Sequence, residues 1–314
     1  MYIGIDLGGT NIAVGLVDDT PKVVVKASRP TNHNRDYQDI VRDMAELCEE
    51  VVGAGGYSMA DVQGIGVGAP GTVDDKLGEV VYSNNLNWYH VPLVDELHGY
   101  FPDISIRLAN DANAAAYGEY TVNGNGAESF LAVTLGTGVG GGIVLNKKIY
   151  SGFNGAGGEI GHMTLKLDGE PCTCGKRGCW EAYASATALI AQTKAAIVRH
   201  PDSLMAKSVA ETGEVSGRTA FEAAKAGDKA AQEVVDTYIR YVADGVNSII
   251  NIFQPEVLVL GGGISREGEY LLNPIKEYVG QHTYCKEAAK TELKIATLFN
   301  DAGMIGAALA SGAE

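Results

Sequence analysis

The sequence predicts an α/β protein built as two domains. Strand-like and helix-like runs alternate along a chain of 314 residues, roughly twice an ordinary domain. A strand, a Gly/Thr turn and a second strand open the chain, and the same plan starts again near Ser129.

In order, "YIGIDLGG" and "IAVGLVDD" are β-rich runs joined at Gly8-Gly9-Thr10-Asn11, and "KVVVKASR" follows, so an antiparallel meander is expected. From Tyr37 to Val52, apolar residues fall at Ile40, Val41, Met44, Leu47, Val51 and Val52, the spacing of one helix face. "VQGIGVGAPG" reads as a buried strand running into a Pro-Gly turn. "SIRLANDANAAAYGEY" reads as a strand ending at Asn110-Asp111, followed by an Ala-rich helix. In the second half, "SFLAVTLGTGVGGGIVLNKKIYSG" is strand, turn, strand, with Gly136-Thr137-Gly138 where Gly8-Gly9-Thr10 stood before. A helix pattern covers Ala230 to Phe253, "PEVLVLGGGIS" is a strand plus glycine turn, and "LKIATL" and "AGMIGAALASG" are a last strand and helix. The domain boundary is expected just after Asp111, near Ala115.

Hydrophobic residues make up 46% and charged ones 20%, the balance of a soluble globular chain. No run reaches the ~18 apolar residues of a membrane helix, and the start is strand-like rather than a signal peptide. A cytoplasmic protein without a membrane partner is expected, with reduced thiols that read as metal ligands before disulfides. The net charge of −15 argues against nucleic acid as a partner. A phosphorylated ligand would need an anion site built locally from backbone N–H groups and a divalent cation.

"GTGVGG" at Gly136–Gly141 matches the dinucleotide fingerprint G-x-G-x-x-G, but it leads into the β pattern "GIVLNKKIY" instead of a helix. A Walker A loop is absent as well. What remains is two Gly/Thr turns in corresponding places and a third glycine cluster at Gly261–Gly263, which favour nucleotide binding. Asp111 stands at a strand-to-helix junction. There it is either a helix cap or a carboxylate able to accept a hydroxyl proton during phosphoryl transfer.

"CTCGKRGCWE" holds three of the five cysteines, and His162 precedes it. His162, Cys172, Cys174 and Cys179 make one imidazole and three thiolates, a closed set suited to structural zinc. Such an ion would hold rigid a loop carrying Glu159, His162 and Glu181, acceptors and donors that suit a polyhydroxylated ligand. Glu181 has a competing reading as a helix cap.

"GIDLGGTN", "GVGAPGTVD", "NNLNW", "ANDANAAAYGE", "LGTGVGGG", "GEIGHMTL", "CTCGKRGCWEAYAS" and "VLGGGIS" together resemble the ROK family of bacterial sugar kinases, its glucokinases above all. The resemblance spans nearly the whole chain. It implies a two-domain ribonuclease-H-like (actin-like ATPase) fold with an active-site cleft between domains. Residues 1–115 would form a small α/β domain, joined by a C-terminal helix at about 297–314, and residues 116–296 a large one with the zinc loop. By motif, Asp111 would be the catalytic base, and Gly71, Asn85, Asn110, Asp111, Glu159, His162 and Glu181 would line the sugar site. "YSNNLNW" departs from the family pattern in lacking a proline before Asn-Leu, which bears on Asn85 against Asn84. Asp6, Gly8, Gly9, Thr10, Asn11, Gly136, Thr137, Gly138, Gly140, Gly141, Gly261 and Gly262 would hold ATP with Mg²⁺. The implied reaction is phosphorylation of glucose to glucose 6-phosphate by a homodimer. The alternatives are a kinase for fructose, N-acetylmannosamine or N-acetylglucosamine, or a non-catalytic sugar-responsive regulator. Regulators of this family carry an added N-terminal helix-turn-helix, for which a phosphate strand beginning at Tyr2 leaves no room.

Overall fold

The protein is described from a computed structural model covering residues 1–312. The first half runs β1 (Tyr2–Leu7), β2 (Asn11–Val17), β3 (Val23–Pro30), α1 (Tyr37–Ala54), β4 (Gly64–Ala69), β5 (Thr72–Asp74), β6 (Glu79–Ser83), β7 (Trp88–Val91), α2 (Leu93–His98), β8 (Ile106–Asn110) and α3 (Asp111–Asn123). The second half runs β9 (Ser129–Leu135), β10 (Val139–Leu145), β11 (Lys148–Ile149), α4 (Glu181–Ala184), α5 (Ala186–Arg199), α6 (Leu204–Thr212), α7 (Thr219–Lys225), α8 (Lys229–Phe253), β12 (Val257–Gly261), α9 (Glu269–His282), β13 (Glu292–Ile295) and α10 (Ala302–Ala310).

The expected meander is present, with β2 antiparallel to both β1 and β3, while β4 and β8 add parallel strands. The two five-stranded sheets are ordered β3-β2-β1-β4-β8 and β11-β10-β9-β12-β13. Counted in chain order among the strands of each sheet, both orders read third, second, first, fourth, fifth. The weak repeat of the sequence is therefore a repeat of topology. A separate antiparallel sheet, β5-β6-β7, has strands of only three to five residues, too short for an alternation signal.

The described chain divides into two compact units: residues 1–131 with 142–158 and 297–312, and residues 132–141 with 159–296. In the first, β1 alternates in the way a strand must. Ile3, Ile5 and Leu7 join one apolar core with Ile40, Val41, Met44, Leu47, Val51 and Val52 of α1. Gly4 and Asp6, pointing the other way, meet α10: a Cβ on Gly4 would fall inside the Met304 carbonyl, and one on Gly66 of β4 inside that of Ala307. Two glycines on the sheet thus let α10 lie almost on the backbone, which brings its first turn beside Asp6. Buried Glu119 on α3 fixes the approach to α10 by accepting the Thr297 and Leu298 N–H groups at 3.0 and 2.7 Å.

In the second unit α8 is the long central helix, burying Val235, Tyr238, Val242, Val246 and Ile249 along one face. Fully buried Trp180 donates its indole N–H to the Tyr241 carbonyl at 2.8 Å, and Tyr238 donates to Ala184 O at 2.7 Å. Trp180 stands between Cys179 and Glu181, so this anchor fastens the end of the Cys-rich segment to the core.

Candidate functional site

In the first unit the Gly8–Asn11 turn joins β1 to β2. Three of its carbonyls are taken by the segment after β3: Thr31 Oγ1 donates to Gly8 O at 2.6 Å, His33 Nδ1 to Gly9 O at 3.2 Å, and Thr31 N to Thr10 O at 2.8 Å. In a trans peptide the C=O and the following N–H point opposite ways. The N–H groups of Gly9, Thr10 and Asn11 are therefore turned away from residues 31–33. Arg35 secures this brace, donating to Thr31 O at 3.1 Å and pairing with Asp43 of α1. Burial opposes ionisation of Asp43, but hydrogen bonds from Arg35 and Arg29 outweigh it and hold the carboxyl below its usual range. Thr31, His33 and Arg35 escape a sequence reading, because a polar segment after a strand carries no glycine signature.

At the end of β8, the cap of α3 is Asn110 and not Asp111. Asn110 Oδ1 accepts from Ala112 N and Asn113 N at 3.0 and 3.2 Å, and its Nδ2 donates to Gly71 O at 2.9 Å. Gly71 has φ +100°, and a side chain there would strike the Tyr82 carbonyl, so only glycine suits the turn. Asp111 is the first residue of α3, its Oδ1 accepting from Ala112 N at 2.8 Å. The Asp6 carboxyl is pushed up to about 6, by burial first and by the charge of Asp111 second. Asn85 lies against the glycine turn: a Cβ on Gly9 would come within 3.1 Å of its carbonyl and 3.2 Å of its Cβ. Asn84 accepts instead from the Tyr82 hydroxyl at 3.4 Å.

The second unit repeats the device. Ala186 N donates to Gly136 O and Thr187 Oγ1 to Thr137 O, both at 2.8 Å, so the N–H groups of Thr137 and Gly138 face away from α5. The turn is shorter than the glycine run, because Gly140 and Gly141 lie within β10. Gly261 ends β12, and Gly262 (φ +84°) packs on the backbone of Leu135 while Ser265 Oγ donates to its carbonyl at 2.8 Å.

His162, Cys172, Cys174 and Cys179 bring their ligand atoms within 4.8 Å of one another. Cys172 Sγ is 3.6 Å from His162 Nδ1, and Cys174 Sγ is 3.6 Å from Cys179 Sγ. Tetrahedral zinc with Zn–S bonds of about 2.3 Å needs ligand separations of about 3.7 Å, so the donor set and its spacing fit that ion. Burial first, and the neighbouring Cys174 and Cys172 after it, push the Cys179 thiol up to about 12. Nδ1 of His162 is the nitrogen facing the thiols, which leaves Nε2 for another partner.

Glu181 starts the four-residue α4 but does not cap it. Its Oε2 accepts the N–H of Val139, 42 residues away, at 3.0 Å. Its Oε1 is 3.5 Å from Thr173 Oγ1 and 3.7 Å from Cys172 Sγ. Glu159 is exposed and precedes the single 3₁₀ turn Ile160–His162.

The profile of the ROK family matches residues 2–312. A glucokinase of Halalkalibacterium halodurans is 38% identical, with 97% of this chain and 93% of the relative covered. One of Thermotoga maritima is 37% identical over 98% of this chain and 95% of the relative. A ROK family glucokinase of Streptomyces griseus, solved in complex with glucose and AMPPNP, superposes with a TM-score of 0.80 at 33% identity over 98% of both chains. The fold is thus the actin-like one of ROK sugar kinases, as the duplicated sheet order requires. Matched along nearly its whole length by the family profile and by these relatives, the chain belongs to the ROK family.

Proposed function

We propose that the protein is an ATP-dependent hexose kinase that converts glucose to glucose 6-phosphate. The observation that carries this reading is the pair of glycine turns in which carbonyls are tied back, so that the N–H groups following them point the other way and could meet phosphate. The kinship with proteins named glucokinase, one of them solved with glucose and AMPPNP, supports the substrate.

Phosphoryl transfer asks chiefly for positioning and charge stabilisation. The 6-hydroxyl oxygen of the sugar attacks the γ-phosphorus, the bond to the bridging oxygen of ADP breaks, and Asp111 takes the hydroxyl proton. In favour of that role, capping of α3 is already supplied by Asn110, so the Asp111 carboxylate is not needed for it. Gly71, Asn85 and Asn110, together with Glu159, His162 and Glu181, would hold the sugar. Asp6, Gly8–Asn11, Gly136–Gly138 and Gly261–Gly262 would hold the nucleotide, with Gly140 and Gly141 supporting the second turn. Mg²⁺ would neutralise phosphate charge, and zinc on His162, Cys172, Cys174 and Cys179 would fix the sugar loop without entering the chemistry.

The test is glucose-dependent release of ADP. Asp111→Asn keeps the size and should fold, with turnover lowered by about 10²–10⁴. Normal turnover in that variant removes Asp111 as the base. A panel with fructose and N-acetylhexosamines decides the sugar, and a better substrate than glucose there overturns the glucose assignment.

A further inference from the structure

A cavity of about 680 Å³ opens in the first unit, walled by β8, α3, the β10–β11 turn and the second half of α10. Of the residues proposed for the sugar, Asn110 lines it, and Gly71, Asn85, Asp111, Glu159, His162 and Glu181 do not. In a chain of net charge −15 its rim is cationic: Arg107 and Lys148 are exposed and have no ion-pair partner among the described residues. Its wall is polar. Asn113 is only 4% exposed, and its Oδ1 has no hydrogen-bond partner among the described residues. Tyr117 and Asp75 add a hydroxyl and a carboxylate, and burial raises the Tyr117 phenol so that it stays neutral. A buried amide without its hydrogen bond costs stability, which a bound ligand can recover.

We propose that this cavity binds a phosphorylated sugar as a regulatory ligand. Arg107 and Lys148, with Lys147 beside them ion-paired to Glu128, suit one phosphate group, whereas the amides, the phenol and the Asp75 carboxylate suit hydroxyls. The volume is in the range of small-molecule sites. One wall is Asn110, whose side chain caps α3 and holds the Gly71 carbonyl. An occupant therefore bears on the segment that positions Asp111, and binding lowers turnover without displacing glucose. That the ligand is the enzyme's own product rests on the glucose kinase reading; the site itself does not.

The probe is glucose 6-phosphate, titrated calorimetrically into protein saturated with glucose and AMPPNP, and again into protein with neither. The comparison protein is the double variant Arg107→Glu, Lys148→Glu, in which both changes are at exposed positions. The expected result is binding whose Kd rises tenfold or more in the variant, with glucose affinity and basal turnover unchanged. Inhibition by glucose 6-phosphate should lower kcat in the wild type and not in the variant. Equal binding by both proteins, no binding, or inhibition purely competitive with glucose overturns the proposal. If glucose proves not to be phosphorylated while charge-dependent binding persists, the kinase reading fails and this site stands.

Discussion

Glu181 accepts the N–H of Val139 at 3.0 Å, tying the residue after the Cys-rich segment to the strand that leaves the second glycine turn. The same carboxylate lies against Gly138, where an added Cβ would collide with Oε2. One side chain thus spans the proposed sugar loop and the proposed phosphate turn. Glu181→Gln keeps an acceptor for Val139 and should raise the sugar KM while leaving the ATP KM near normal. Glu181→Ala leaves that N–H unpaired, at an expected cost of about 1–3 kcal/mol, and should raise both constants. Steady-state kinetics with each substrate varied, beside melting curves, separate the outcomes. Lower stability with normal kinetics in both variants would leave Glu181 a structural brace.

The collision at Gly138 makes that glycine a poor reporter of phosphate alone. Gly138→Ala should damage sugar and ATP constants together. Gly136 is different, since a Cβ there meets nothing within 4 Å. Gly136→Ala should fold normally and keep the sugar KM, so a rise confined to the ATP KM would mark close approach of the nucleotide. Unchanged ATP kinetics in Gly136→Ala would move the phosphates off this part of the turn.

Structural zinc contributes folding energy directly, because its ligands are gathered only in the folded chain. Purified protein should carry about one zinc per chain. Cys174→Ser should lower zinc content, melting temperature and sugar affinity together, since Cys174 is paired with Cys179 at 3.6 Å in the cluster. Elemental analysis finding fully active, stable enzyme without zinc would refute this.

Much of this arrangement was legible in the sequence because its signals are local. The 3.6-residue spacing of Ile40 to Val52, the strand–glycine–strand pattern and the cysteine spacing each depend on near neighbours. The braces were not legible. Thr31 and His33 reach back more than twenty residues to the turn they hold, and Glu181 reaches 42 to Val139. Such partners are chosen by topology, which a single sequence does not print. The cap of α3 was ambiguous for another reason: Asn110 and Asp111 are adjacent and both good caps, and only the hydrogen bonds distinguish them. The short strands β5–β7 fell below the length at which alternation can be counted.

Asp6 offers a prediction in which function and stability pull apart. Its carboxyl is pushed up to about 6 from a usual 3.8, because burial and the neighbouring charge of Asp111 disfavour ionisation. Between these values the folded chain binds more proton than the unfolded one, so stability falls as pH rises from about 4 to about 6 and stays low above that. Each pKa unit is worth about 1.4 kcal/mol, which sets an upper bound of about 3 kcal/mol for the ionised group at neutral pH. Asp6→Asn removes that cost. The variant should unfold at higher denaturant concentration than the wild type at pH 7.5, and the advantage should vanish toward pH 4. Its kinase activity should drop sharply at every pH, because the proposed nucleotide site loses its carboxylate beside the Gly8–Asn11 turn. Chemical denaturation at pH 4, 6 and 7.5 measures the first effect and coupled ADP assays the second. A variant less stable than the wild type at pH 7.5 would mean that the Asp6 carboxylate is held by partners that more than offset its burial. A more stable variant with intact turnover would take Asp6 out of the nucleotide site.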